Sequence, residues 1–316
     1  MKMKILVTGG NGLVGNSIKN IEQNYPRTKF VFLTRKHCDL ENRLSVLTYF
    51  ADNKDIDSII HLANNVGGLF MNQNNNIDMF SKNIKINENI LEACLKYNIK
   101  QGIFCLSSCI FPHNPSKFPM DETMIHESPP HNSNEGYAYS KRMLELQCRQ
   151  YNLKYNTNFI CVIPVNLYGP HDNFNNQKGH VIASLMNRFH KEKQREKPAF
   201  YVFGDGTPYR QFLYAPDFAK IICDILIYKN NIENNSIICC NDETTIRDMV
   251  TELCEVMQID GNKIEWGDAI DNGCQKKTVD NSKLINYFYN FTFTSLKDGL
   301  RNTYKWYNEN IDNIRN

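Results

Sequence analysis

Between the apolar run Lys4–Val7 and a helical pattern from Leu13 to about Glu22 stands Thr8-Gly-Gly-Asn-Gly-Leu-Val-Gly15. Glycines at 9, 12 and 15, or at 10, 12 and 15, allow a tight turn in which the backbone itself approaches a ligand. Strand, glycine turn and helix in that order form a phosphate cradle, because the first N–H groups of the helix have no partners of their own. Gly9, Gly10, Asn11, Gly12, Leu13, Val14 and Gly15 are therefore the expected contacts to the pyrophosphate of a dinucleotide. No Lys-Ser/Thr follows the turn, which sets aside a nucleoside-triphosphate P-loop.

The rest of the first half keeps the same rhythm. Phe30–Leu33, Ser58–Leu62, Gly102–Leu106 and Phe159–Val165 read as buried strands, with long helical patterns at Asp78–Tyr97 and Tyr137–Tyr155. Strands alternating with helices predict an α/β fold, a Rossmann-type doubly wound parallel sheet. After Pro164 the rhythm breaks into loops rich in Gly, Pro and Asn, with helices near 215–228, 245–257 and 295–309. The expected division is a dinucleotide-binding domain over 1–165, with 213–235 returning to it. A smaller α+β substrate-binding cap would take 166–212 and 236–316.

Where an acidic residue at the end of the second strand would bind the ribose 2′-hydroxyl of NAD, this chain has Thr34-Arg-Lys-His37. Cations there suit a 2′-phosphate through charge-assisted hydrogen bonds. Arg35 and Lys36 thus point to NADP(H), with Asp39, Leu40, Ala63, Pro164, Asn166 and Leu167 completing the expected cofactor lining.

Tyr137-Ala-Tyr-Ser-Lys141 puts a phenol and an ammonium one helical turn apart on one face. A free phenol titrates near ~10 and is a poor proton carrier at neutrality, whereas a neighbouring cation would lower that value. Tyr25-Pro-Arg-Thr-Lys29 has the same spacing but lies in a loop pattern. Only the later pair follows a strand ending in Ser107-Ser108, whose hydroxyls can share a substrate oxygen with the tyrosine.

Composition narrows the partners. Lys and Arg total 36 against 34 acidic residues, a net charge of +2, which disfavours nucleic acid or a polybasic membrane surface as partner. No apolar run approaches the ~18–20 residues of a membrane span. Eleven cysteines in 316 residues, without a Cys-x-x-Cys pair, indicate neither a disulfide scaffold nor a metal site. A reducing cytoplasm is the expected location.

Five further strings sharpen the picture: Val66-Gly-Gly, Ser107-Ser-Cys-Ile-Phe-Pro112, Pro164-Val-Asn-Leu-Tyr-Gly-Pro-His-Asp-Asn-Phe174, Gly179-His-Val-Ile182 and Phe203-Gly-Asp-Gly-Thr-Pro-Tyr-Arg-Gln-Phe212. With the glycine turn and the Tyr/Lys pair, they resemble the extended short-chain dehydrogenase/reductase superfamily. The closest likeness is to its GDP-L-fucose synthase family, the GDP-4-keto-6-deoxy-mannose epimerase/reductases, and it runs over essentially the whole chain. The resemblance implies NADPH, a GDP-sugar substrate and a homodimer joined by two long helices from each subunit. It implies a reductase triad of Ser107, Tyr137 and Lys141, and an epimerisation acid/base pair of Cys109 and His180, His180 also near the cofactor. Arg188, Phe203, Arg210 and Lys277 match positions near the GDP-sugar, and Ser108 and Asn166 join the expected substrate contacts. Another sugar-nucleotide epimerase or dehydratase on the same scaffold is the alternative. A dehydratase, however, usually has a carboxylate beside the triad serine, where this chain has Ser108 and Cys109.

Overall fold

The computed structural model describes residues 2–67, 75–229, 232 and 235–315; Gly68 of the Val66-Gly-Gly string lies outside them. Strands are β1 (Met3–Thr8), β2 (Thr28–Leu33), β3 (Ser58–His61), β4 (Gln101–Cys105) and β5 (Asn158–Pro164), then β6 (Asn166–Tyr168), β7 (Phe200–Val202), β8 (Tyr209–Tyr214), β9 (Ser236–Cys239), β10 (Glu243–Thr245) and β11 (Ile264–Trp266). Helices are α1 (Leu13–Ile21), α2 (Arg43–Asp52), α3 (Asn76–Lys96), α4 (Glu135–Tyr155), α5 (Val181–Gln194), α6 (Ala215–Tyr228), α7 (Ile246–Met257), α8 (Ser282–Tyr287) and α9 (Leu296–Glu309).

Six strands pair in parallel in the order β2-β1-β3-β4-β5-β9. Ile59, Ile60, Ile103, Phe104, Val162, Ile163, Ile237 and Ile238 are shut away from solvent, as expected where helices cover both faces of a sheet. The chain leaves β1 toward β2 on one side and later places β3 on the other. The carboxyl ends of β1 and β3 thus flank a switch point, the crevice in which such sheets bind ligands.

Much of α3 faces the sheet, and part of its inner face is polar. Asn83 accepts from Asn65 N at 2.8 Å and donates back to its carbonyl at 3.0 Å, while Asn89 donates to the Leu40 carbonyl at 2.8 Å. One helix thereby fixes the loops that leave β2 and β3. The amides satisfy backbone groups that would otherwise be buried unpaired.

A second core forms around Tyr168, Phe174, Met186, Phe189, Leu253, Leu300 and Tyr307, beside the sheet β10-β8-β6 and the pair β11-β7. Two boundaries differ from the sequence expectation. Ser236–Cys239, assigned to the cap, is the sixth strand of the main sheet, with Val162 opposite Ile237. Its four residues follow a polar stretch, and so short an apolar run does not by itself separate a buried strand from a buried helix segment. Val279 and Leu284 also belong to the first core, so the chain returns to it once more than expected. The helix α5 was not foreseen among the loops after Pro164.

Gln211 on β8 ties the parts together. Its side-chain nitrogen donates to the carbonyls of Asn241 and Val279, both at 3.0 Å, and its oxygen accepts from Val279 N at 2.9 Å. Elsewhere, Gly299 of α9 packs against Tyr168, which is 1% exposed; a Cβ there would overlap the phenol oxygen, and the buried ring has nowhere to swing. Gly299→Ala should lower stability by roughly 1–3 kcal/mol, the usual cost of overpacking. Urea denaturation checks this, and an unchanged midpoint would show that the contact relaxes freely.

Candidate active site

Above the carboxyl ends of β1 to β5 opens a cavity of about 1090 Å³. The glycine turn forms one wall. Gly9 has φ +71°, its carbonyl accepts from Gly12 N at 2.9 Å, and a Cβ on Gly15 would come within 2.6 Å of that carbonyl oxygen. No side chain caps α1 and its first turn has no acidic residue, so its leading N–H groups are available to an anion. Asn11, Gly12, Leu13 and Val14 line the cavity with Gly9 and Gly15. Gly10 instead packs against Phe32, where a Cβ would lie 2.8 Å from the phenylalanine Cβ.

Arg35, Lys36, Asp39 and Leu40 line the far end, and Ala63, Pro164, Asn166 and Leu167 the middle. Arg35 is largely exposed and stands 3.7 Å from Glu41. An uncapped helix start, a turn packed so closely that a Cβ at Gly9 or Gly15 would press on backbone, and two cations at the end of β2 together fit a dinucleotide carrying an extra phosphate.

The reactive end is organised by α4. Lys141 is fully buried and donates to the Cys105 carbonyl at 2.5 Å. Its Nζ lies 5.8 Å from the centre of the Tyr137 ring. Burial pulls the ammonium down to about 8, against the opposing influence of the thiols around it. Arg142, on the same helix, donates to the carbonyls of Ile110 and Ser128, both at 2.7 Å, and so anchors the turn after Ser107. There the Ser107 hydroxyl accepts from Cys109 N at 3.4 Å. Burial raises the Cys109 thiol, and the Lys277 ammonium partly offsets this.

The expected depression of the Tyr137 phenol is not realised. Burial pushes it well above its ordinary range, and the nearby thiols add to the rise. Desolvation disfavours phenolate more strongly than the ammonium one turn away favours it. Tyr25, the other member of a Tyr-x-x-x-Lys spacing, donates to Asp224 on α6 at 2.8 Å and serves packing.

His180 sits at the start of α5 with Nδ1 3.5 Å from Asp172. Burial alone would lower the imidazole, but the Asp172 carboxylate outweighs it and the net direction is upward. Ser108, Arg210 and Lys277 line the same cavity. Asn166 donates its amide to the Gln211 carbonyl at 2.9 Å, joining β6 to β8. Arg188 and Phe203 are outside the cavity lining but beside each other, the guanidinium 5.7 Å from the ring centre.

Several contributors escaped the sequence reading. Thr8 accepts from Leu62 N and Ala63 N at 3.1 Å, so its own proton goes to His61 Nδ1 at 2.8 Å. The proton of His61 then lies on Nε2, 3.1 Å from the side-chain oxygen Oδ1 of Asn87. Burial, reinforced by the Lys141 charge, lowers this imidazole to about 3 and keeps it neutral. Cys274, on the loop before Lys277, also faces the cavity; of the eleven cysteines it alone is not buried. A buried polar residue looks in sequence like any surface one, and only the apolar residues flanking His61 hinted at its burial.

Comparison with known proteins bears on this geometry. Residues 5–240 match the family described as NAD dependent epimerase/dehydratase. A protein from Dictyostelium discoideum named GDP-L-fucose synthase is 38% identical, covering 99% of this chain and 98% of its own. One of the same name from Escherichia coli is 30% identical, covering 99% of each. The crystal structure of a GDP-L-fucose synthetase from Naegleria fowleri bound to NADP superposes with a TM-score of 0.91 at 35% identity, covering 99% of this chain and 95% of that one.

Burial of Lys141 has a consequence for stability. In the fold its proton is held less tightly than in the unfolded chain: the titration moves from 10.5 to about 8. The penalty is therefore full below about 8, fades as pH rises and is gone above 10.5. Measured against Lys141→Met, the wild type should gain stability from pH 8 to 10.5. Urea midpoints across that range check the sign, and parallel curves would mean that the ammonium titrates normally.

Proposed function

The chain belongs to the NAD dependent epimerase/dehydratase family, within it to the GDP-L-fucose synthases, and on that footing we propose how its residues make GDP-L-fucose from GDP-4-keto-6-deoxy-D-mannose. It is an NADP(H)-dependent enzyme. The observation that carries the assignment of residues is the gathering of Ser107, Cys109, Tyr137 and His180 in one cavity with the glycine turn.

A 4-keto group acidifies the hydrogens on C3″ and C5″. Inverting either carbon requires a proton to leave one face and another to arrive on the opposite face. Cys109 and His180 serve as these two groups. The Lys277 charge favours the Cys109 thiolate against burial, while Asp172 favours the imidazolium of His180. Ser107 and Tyr137 donate to the C4″ oxygen, where negative charge gathers in the enolate.

When bound, NADPH supplies the hydride that reduces C4″. Tyr137 delivers the proton to the resulting alkoxide. Its raised pKa keeps the phenol protonated and ready as a donor. Lys141 keeps a positive charge behind the ring. The glycine turn holds the pyrophosphate, and Arg35 and Lys36 select the 2′-phosphate.

On the substrate side, Arg210 and Lys277 face the diphosphate and the sugar, while Arg188 and Phe203 form a shelf for the guanine. The larger core carries the cofactor and the smaller one the nucleotide end of the substrate. We read the enzyme as a homodimer joined through α3 and α4, where Ile77, Phe80, Met143, Leu146 and Leu153 are exposed. The eleven free thiols support a reducing, cytoplasmic setting.

Tyr137→Phe should abolish NADPH consumption with the keto sugar while NADPH binding stays within a few-fold; near-wild-type turnover would remove the proton donor from this account. In D2O without NADPH, the wild type should take up deuterium at C3″ and C5″. Cys109→Ser replaces a thiol with a far weaker acid, so it should slow that exchange by orders of magnitude, as should His180→Asn. Wild-type exchange at both carbons in both variants would reassign the acid/base pair.

A further inference from the structure

Two histidines in the cavity wall have no part in the chemistry above. His113 follows the turn that carries Cys109, and His131 precedes α4. Both line the cavity, and their rings meet edge to face with centres 4.4 Å apart. The pair is held at the backbone as well, since His113 N donates to the Pro129 carbonyl at 3.0 Å. Arg142 fixes the neighbouring Ser128 carbonyl from α4.

The tautomer of His131 follows from its bonds. Ser133 N donates to His131 Nδ1 at 3.1 Å, and the Ser133 hydroxyl lies 2.7 Å from the same nitrogen. A backbone N–H can only donate, so Nδ1 presents its lone pair and a neutral ring carries its proton on Nε2. Burial, then His113 and the Lys277 ammonium, hold the imidazole in its neutral form. Lys277 is also the first charge to act on Cys109. It therefore stands near both His131 and the proposed epimerisation thiol. Among the described residues no protein group accepts from Nε2.

We propose that His131 is a further substrate-binding residue, its Nε2–H donating to a ring hydroxyl of the keto sugar while His113 holds the imidazole in place. The backbone bond at Nδ1 fixes both the orientation of the ring and the position of its proton before substrate arrives. This donor differs in kind from Lys277 and Arg210, which carry full charges suited to phosphate. A neutral N–H suits a hydroxyl, and it leaves the charge balance around Cys109 unchanged. The inference rests on the keto-sugar reading of the cavity.

His131→Asn separates the two ends of the ring. Asparagine is a good residue at this position of a turn and its side-chain oxygen can still accept from Ser133 N, but it falls short of the place occupied by Nε2. The expected result is a KM for GDP-4-keto-6-deoxy-mannose raised roughly 5- to 10-fold, the scale of one neutral hydrogen bond. The Kd for NADPH and the thermal midpoint should match the wild type. His131→Ala, which loses both ends, should raise KM as much and lower the midpoint too. Unchanged KM in His131→Asn, with wild-type turnover normal, overturns this inference alone. A wild-type enzyme that does not consume NADPH with the keto sugar overturns the functional reading and this inference with it. A rise in KM accompanied by an equal loss of NADPH affinity would make His131 a structural residue and also overturns the proposal.

Discussion

An ammonium with no exposure to water, satisfied by a backbone carbonyl, sets the conditions for everything around it. Among the described residues Lys141 has no carboxylate partner; its ammonium donates to the Cys105 carbonyl at the end of β4. A carboxylate would quench the charge that stands 5.8 Å from the centre of the Tyr137 ring. The alternative is costly, because a buried cation disfavours every further positive charge nearby. The response is visible at His61, where Thr8 and Asn87 lock a neutral tautomer. Asparagine at 87, where aspartate would also accept a proton, keeps this relay uncharged. Thiols fill the same neighbourhood on β4 and α4, Cys105 and Cys148, small side chains that burial keeps protonated.

What could be read from the sequence were features that reside in local order. The glycine turn requires strand, turn and helix in succession, and the Tyr137–Lys141 pair requires one helical turn; both are properties of neighbouring residues. The first five strands were legible from the same alternation, though not their order in the sheet. Less legible was whatever depends on distant residues meeting. Ser236–Cys239 is a strand because β5 offers it an edge. Asn83, Asn87 and Asn89 look in sequence like polar helix surface but are buried; Asn83 and Asn89 bind the loops after β3 and β2, and Asn87 meets His61 on β3. The direction of the Tyr137 shift was misread because spacing gives the ammonium's position and says nothing of desolvation. Arg188 and Phe203 pair with each other outside the cavity lining, an arrangement no spacing predicts.

Gln211 shows how such distant contacts shape the cleft. Its single amide joins β8 to the segments around Asn241 and Val279, and the latter leads directly from Lys277. Arg210 is its neighbour in sequence. Arg210 and Lys277, two cations of the cavity wall, are thus positioned by one buried, neutral side chain shared between the strand of the cap and the returning chain. Satisfied polar groups of this kind specify one arrangement more sharply than apolar contact does.

Ten of the eleven cysteines are buried, Cys38, Cys105 and Cys109 of them beside the cavity, and the more exposed Cys274 stands in the cleft two residues from Lys276 and three from Lys277. Its thiol sits 3.1 Å from the Lys276 carbonyl. A water-soluble alkylating reagent therefore meets the Cys274 sulfur most readily in the folded chain, and that sulfur lies on the wall of the cleft. The unaltered protein carries its own footprinting label. The rate at which Cys274 is modified would register occupancy of the cleft, whichever ligand is doing the shielding.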